Sequence, residues 1–142
     1  MAIWKESINL ESVNQRSIGT MAEYIGLKFT EIGDDFLAAT LPVDQRTCQP
    51  LGILNGGASC ALAETVASTA ANYCVDQNKY YCVGLDINAN HIRPGKTGGT
   101  VTGVARPIHL GRSTQVWEIK ITSSENKLIC ISRLTVAVIA RK

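Results

Sequence analysis

The chain has 142 residues, 45% of them hydrophobic, 18% charged and 6% aromatic. That is one domain's worth of sequence, taken as residues 1–142, with enough apolar material for a single core. Fourteen Lys and Arg against twelve Asp and Glu leave a formal charge of +2, which excludes a generally basic nucleic-acid binder and an acidic disordered tail. Five cysteines, at 48, 60, 74, 82 and 130, are odd in number and show no Cys-x-x-Cys spacing. They argue against a disulfide framework or a zinc site and for reduced thiols. No apolar run reaches the roughly 18 residues of a membrane span. Lys5, Glu6 and Glu11 are wrong for a secretory signal, so the expected location is the cytoplasm.

In chain order, the pattern predicts a short helix over 7–18 with Ser7 as N-cap, and a short strand over 24–29. A turn at Gly33-Asp34-Asp35 precedes a strand over 36–41 that stops at Pro42. Residues 43–55 have loop character. From Gly56 to Cys74 the side chains are small and apolar, too many for one strand and uninterrupted by proline; this predicts a helix buried on most faces. Strands are predicted over 80–89, 100–108, 114–122 and 127–140. Trp117, Ile119 and Ile121 alternate with Glu118, Lys120 and Thr122, a half-buried pattern. The last strand is almost continuously apolar and belongs in the middle of a sheet or against another subunit. The fold class expected is α+β, with a curved antiparallel sheet wrapped round the central helix.

One residue conflicts with that burial. Between Arg46 and Lys79 only Glu64 and Asp76 are charged, and Glu64 lies two turns inside the apolar helix. An unpartnered buried carboxylate costs several kcal/mol, and burial raises its proton affinity towards the range of a general base. The plain alternative is a Glu64 that points to solvent, but Ala61, Ala63 and Ala67 offer no polar face to share. Ser68, four residues on, stands on the same face and is placed to hold a water or orient the carboxylate. Just upstream, Asn55-Gly56-Gly57 leads into the helix. Bare backbone N–H groups at a helix N-terminus can hold an oxyanion formed on a carbonyl under attack. Asn55 either donates to that oxygen or serves as the N-cap.

A second asymmetry lies between Ile87 and Trp117, which contains no Asp or Glu but holds Arg93, Lys96, Arg106, Arg112, His91 and His109. It is either a solvated face or a site for a phosphorylated ligand. Two isolated histidines do not make a metal site.

These residues resemble the hot-dog-fold acyl-CoA thioesterases of the phenylacetate-degradation type, within them the bacterial enzymes that hydrolyse 1,4-dihydroxy-2-naphthoyl-CoA and the proofreading thioesterase of enterobactin synthesis. The resemblance runs from Ile3-Trp4-Lys5 to the final strand. It is carried by IGDD at 32–35, PVDQRTCQPLGILNGGAS at 42–59, ALAET at 61–65, VGLDINANHIRP at 83–94 and PIHLGRSTQVW at 107–117. It implies a hot-dog fold and a dimer with active sites at the subunit interface, two dimers forming a tetramer. It implies Glu64 as general base or nucleophile, Gly56 N–H as the group that polarises the thioester carbonyl, and Gln49 and Ser68 as residues that position water. Val83 falls on a substrate-contacting position. Asn90, His91, Ile92 and Arg93, and Pro107, Ile108, His109, Leu110, Gly111 and Arg112, fall on CoA-contacting loops. Arg93, Arg106 and Arg112 are expected along the CoA phosphates. No cofactor is expected, CoA being part of the substrate, and neither nucleic acid nor membrane is an expected partner. One position departs from the family, in which His precedes the two glycines. Asn55 keeps a hydrogen-bond donor there but cannot exchange a proton. The rival reading is therefore a module that binds acyl-CoA or an acyl carrier without turnover. A dehydratase is a weaker rival, since no histidine lies near Glu64 in sequence.

Overall fold

The computed structural model describes residues 1–142. Two short helices, α1 (Leu10–Gln15) and α2 (Met21–Tyr24), precede strands β1 (Lys28–Ile32) and β2 (Leu37–Pro42). The long helix α3 (Gly56–Tyr73) follows, and then β3 (Tyr80–His91), β4 (Thr100–Leu110), β5 (Thr114–Ser123) and β6 (Leu128–Ala140). The strands form one antiparallel sheet in the order β1-β2-β4-β5-β6-β3.

The first 30 residues depart from expectation. Asn9, not Ser7, caps α1, its Oδ1 accepting from Ser12 N at 2.9 Å. The expected strand at 24–29 is split, because Tyr24 closes α2 and Gly26 turns the chain with φ +80°. That backbone conformation suits glycine and interrupts an extended run, so β1 begins at Lys28. Phe36 stays outside β2, and Pro42 is the strand's last residue rather than its stop. Pro42 pairs with Thr100 of β4, while β1 reaches only as far as Thr40 on the other side. The missing N–H of the proline therefore breaks no ladder bond. The later strands match the predicted ones to within two residues, β3 running on to His91 and β4 to Leu110.

Helix α3 packs on β2, β3, β4, β5 and β6. Strands lie about 4.8 Å apart, so one helix touches five of them only if the sheet bends round it. Its buried side chains are Ser59, Leu62, Ala63, Val66, Ala67, Ala70, Ala71 and Tyr73. The alanines let the sheet approach closely, and a Cβ on Gly103 of β4 would already touch Leu62 at 3.1 Å. Trp117 of β5 fills the core from the sheet side, its indole N–H donating to Gln115 Oε1 at 3.0 Å.

All five cysteines are free thiols, with Cys74, Cys82 and Cys130 buried. Burial pushes the Cys74 thiol up to about 12 and the Cys82 thiol up to about 11. The thiolate is the reactive form. A thiol reagent at pH 8 is therefore expected to label only Cys48 and Cys60 in the folded protein, and all five cysteines in denaturant. Rapid native labelling of Cys74 would contradict this burial.

The last strand lies inside the sheet, between β5 and β3. The sheet edges are β1 and β3, the latter following α3 across the molecule to the far side. The β3 edge exposes two large apolar side chains, Val83 (41%) and Leu85 (61%).

Candidate active site

The loop before α3 is fastened at several points. Asn55 N–H donates to Thr47 O (2.8 Å), Leu54 N–H to Gly95 O (2.9 Å), and Thr47 Oγ1 to Pro42 O (2.6 Å). Asn55 is the N-cap of α3, its Oδ1 accepting from Gly57 N at 2.7 Å. Its side-chain amide nitrogen has no partner in the chain. Gly56 N–H is likewise used neither by the helix nor by its cap, so the first helical turn keeps a bare donor at its positive end.

Gly56 is tightly confined on one side. A Cβ there would lie 2.8 Å from His91 Nε2 and 3.0 Å from His91 Cε1. The imidazole at the end of β3 therefore stands against the first residue of α3. A cleft of about 460 Å³ opens beside this pair, lined among others by Gln49, Gly56, Ser59, His91, Ile92 and Arg93. Gln49 sits on a turn in which Gly52 N–H returns to Gln49 O at 2.9 Å, and its Oε1 accepts from Leu51 N. Its amide nitrogen is left for the cleft.

Glu64 lies two turns further along α3 and meets β3 at Gly84, where a Cβ would overlap Glu64 Oε1. The edge strand bulges at this point, between Gly84 and Asp86. Within one chain Glu64 is half-buried rather than enclosed, because nothing lies beyond β3. Ser68 is also half-buried and its hydroxyl has no partner, so it is free to serve Glu64 or a water. One turn on, Asn72 fastens the same face to β3. It accepts from Cys82 N at 2.8 Å and donates to Cys82 O at 3.1 Å.

The acid-free stretch of sequence is not one patch. Asn90, His91, Ile92 and Arg93 lie at the end of β3 level with Cys130, and Ile92 N–H donates to Ile129 O at 2.7 Å. The turn holding Leu110, Gly111 and Arg112 is level with Val136 and Ala137, at the Val83 end of the sheet. Six residues of strand separate the two levels, about 20 Å. Arg106 is occupied, forming an ion pair with Asp35 at 2.5 Å and stacking over Phe36 at 4.6 Å. Pro107 and His109 flank a bulge at Ile108, and the His109 ring packs on Gly111. Leu110, Gly111 and Arg112 line a second cavity of about 740 Å³ together with Ile3, Lys5 and Tyr80.

Three features of the site carry little or no signal in the sequence. Asn72 was legible in principle, being eight residues from Glu64 on one helical face. The contacts of His91 with Gly56 and of Gly84 with Glu64 were not, since they depend on where the sheet puts β3.

Residues 51–130 match the family model described as the thioesterase superfamily. That span holds α3, the double glycine, Glu64 and β3. The chain belongs to the thioesterase superfamily. It is similar to the 1,4-dihydroxy-2-naphthoyl-CoA hydrolase of Escherichia coli K12, 47% identical over 137 residues, 96% of this chain and 99% of that one. It is also 47% identical to the proofreading thioesterase EntH of Cronobacter sakazakii, covering 96% and 98% of the two chains. A crystal structure of a thioesterase from Haemophilus influenzae superposes with a TM-score of 0.94 at 48% identity, covering 97% of this chain and 95% of that one. The fold is the hot-dog thioesterase fold, and the protein is a thioester hydrolase.

Proposed function

We propose that this thioesterase hydrolyses acyl-CoA, aromatic acyl groups being preferred, at active sites each shared between two subunits. The observation that carries the reading is a spacing. Gly56 and Glu64 are eight residues apart on α3, about 12 Å of helix. A carbonyl oxygen held by Gly56 N–H and a carbon within reach of Glu64 or its water demand roughly 7 Å from donor to carboxylate. One chain therefore carries two half-sites, Gln49, Asn55, Gly56 and His91 in one and Glu64 and Ser68 in the other.

A second copy completes both. Antiparallel pairing of two β3 edges about a two-fold axis sets the Gly84 end of each strand beside the His91 end of the other. Glu64 of one subunit then faces Gly56 of its partner. The same rotation carries the 107–112 segment of one subunit towards residues 90–93 of the other and covers Val83 and Leu85. Two such dimers would form the tetramer.

In this arrangement the thioester carbonyl accepts from Gly56 N–H and from the free amide of Asn55. Glu64 either takes a proton from a water positioned by Gln49 and Ser68, or attacks the carbonyl carbon to give a mixed anhydride that water then cleaves. The carbon–sulfur bond breaks and the CoA thiolate leaves, taking up the proton that the attacking water gives up, directly from Glu64 or through solvent. Arg93 and the Arg112 of the other subunit are available to the CoA phosphates, whereas Arg106 must first exchange Asp35 for phosphate. The name of one relative, a 1,4-dihydroxy-2-naphthoyl-CoA hydrolase, supports a dihydroxynaphthoyl type of acyl group; a hydroxybenzoyl type is the other candidate. We place the protein in the cytoplasm, where five unpaired thiols remain reduced.

Complementation tests the shared site. Glu64→Ala and Gly56→Val are each expected to be inactive in release of free CoA, the second because its side chain strikes His91. Co-expressed, they form mixed dimers with one intact site, and random pairing restores about a quarter of wild-type activity. No recovery in verified mixed dimers overturns the shared site. The rival, a binding module without turnover, is favoured by one observation: Asn55 cannot exchange a proton and its oxygen is already committed to Gly57. Tight CoA-ester binding with no CoA release, even after Asn55→His, would decide for it.

A further inference from the structure

We propose that His91 is a catalytic residue, a further donor beside Gly56 N–H and the Asn55 amide that holds the thioester oxygen as negative charge builds on it. This rests on the thioesterase reading above. The imidazole lies against Gly56, 2.8 Å from where a Cβ would be, so the missing side chain is what admits the ring beside the bare Gly56 N–H. Its nitrogens have no hydrogen-bond partner in the chain, and it lines the cleft. The chain just after it is anchored. Ile92 N–H and Arg93 N–H both donate to Ile129 O, at 2.7 and 3.2 Å, and Arg93 Nη1 donates to Leu128 O at 2.9 Å. A donor held in place before the reaction is worth most, because nothing reorganises as charge develops.

The neighbours do not supply the same thing. The Asn55 oxygen is tied to Gly57 N and the Gln49 oxygen to Leu51 N, leaving each only a neutral amide. An imidazole donates in either protonation state and, when protonated, adds a full positive charge. No proton need be transferred. In this role the ring N–H and the Gly56 N–H share one oxygen, which becomes negative on attack and reverts to a carbonyl when the thiolate departs.

The test combines kinetics with a spectroscopic readout. His91→Ala is expected to lower kcat about 10²-fold with KM within a few-fold of wild type, and His91→Gln to recover part of the loss. Difference infrared spectra of a bound CoA analogue in which an aryl ketone replaces the thioester are expected to show the carbonyl band at lower frequency in wild type than in His91→Ala. A raised KM with unchanged kcat, or a band that does not move, overturns the proposal. A wild-type protein without turnover counts against the thioesterase reading, and the infrared comparison then decides the role of His91 alone.

Discussion

Glu64→Gln lowers kcat for an acyl-CoA substrate by about 10³-fold, in the range seen when a general acid–base group is removed. The amide keeps the shape of the carboxylate but can neither accept a proton from water nor attack a carbonyl. KM is expected to stay within a few-fold, since an interaction made only in the transition state lowers kcat and kcat/KM together. Glu64 makes no hydrogen bond to its own chain, so the melting temperature should not fall. The measurement is release of free CoA thiol under saturating substrate. A variant as fast as wild type would remove Glu64 from the mechanism and with it the assignment of this half-site.

Gly84→Ala is expected to damage activity nearly as much without replacing any group that reacts. The new Cβ would overlap Glu64 Oε1, and the carboxylate, being the flexible partner, must swing away. Misplacing a reacting group by about 1 Å costs on the order of 10²-fold in rate. Stability should change little, because Gly84 is exposed on the edge strand and its φ is not in the left-handed region. Paired measurements of kcat and thermal melting separate this from unfolding. Full activity in Gly84→Ala would mean that the carboxylate works from another position.

What could be read before folding follows from range. Helix α3 was legible because its signal is local, an unbroken run of small apolar residues from Gly56 onward with one carboxylate in it. The four later strands were legible because each carries its own alternation or apolar run. Ser7 and Asn9 offer the same capping chemistry two residues apart, and the sequence alone does not choose between them. Tyr24 to Phe29 has a strand's composition, and the turn that Gly26 makes there shows only in its φ. The acid-free stretch looked like one basic surface because it is continuous in sequence, but the β4–β5 hairpin carries Arg112 about 20 Å from Arg93 along the sheet. Similarly, no local pattern reveals that β3 returns to the far edge, so the meeting of His91 with Gly56 had no sequence signal. The family resemblance implies the shared active site that we propose. The eight-residue spacing on α3 supplies its physical reason.

Within its own chain β3 has a single sheet neighbour, β6, with Tyr80 opposite Ala140 and His91 opposite Cys130. Every contact that fixes this strand in the sheet thus closes a loop of about 40 to 60 residues, an entropic cost met late in folding. Gly84 and His91 ride on that strand. The α3 contacts made through Asn72 and Cys82 are local, whereas the place of Gly84 and His91 in the sheet is fixed only when the last long strand pairs with β3.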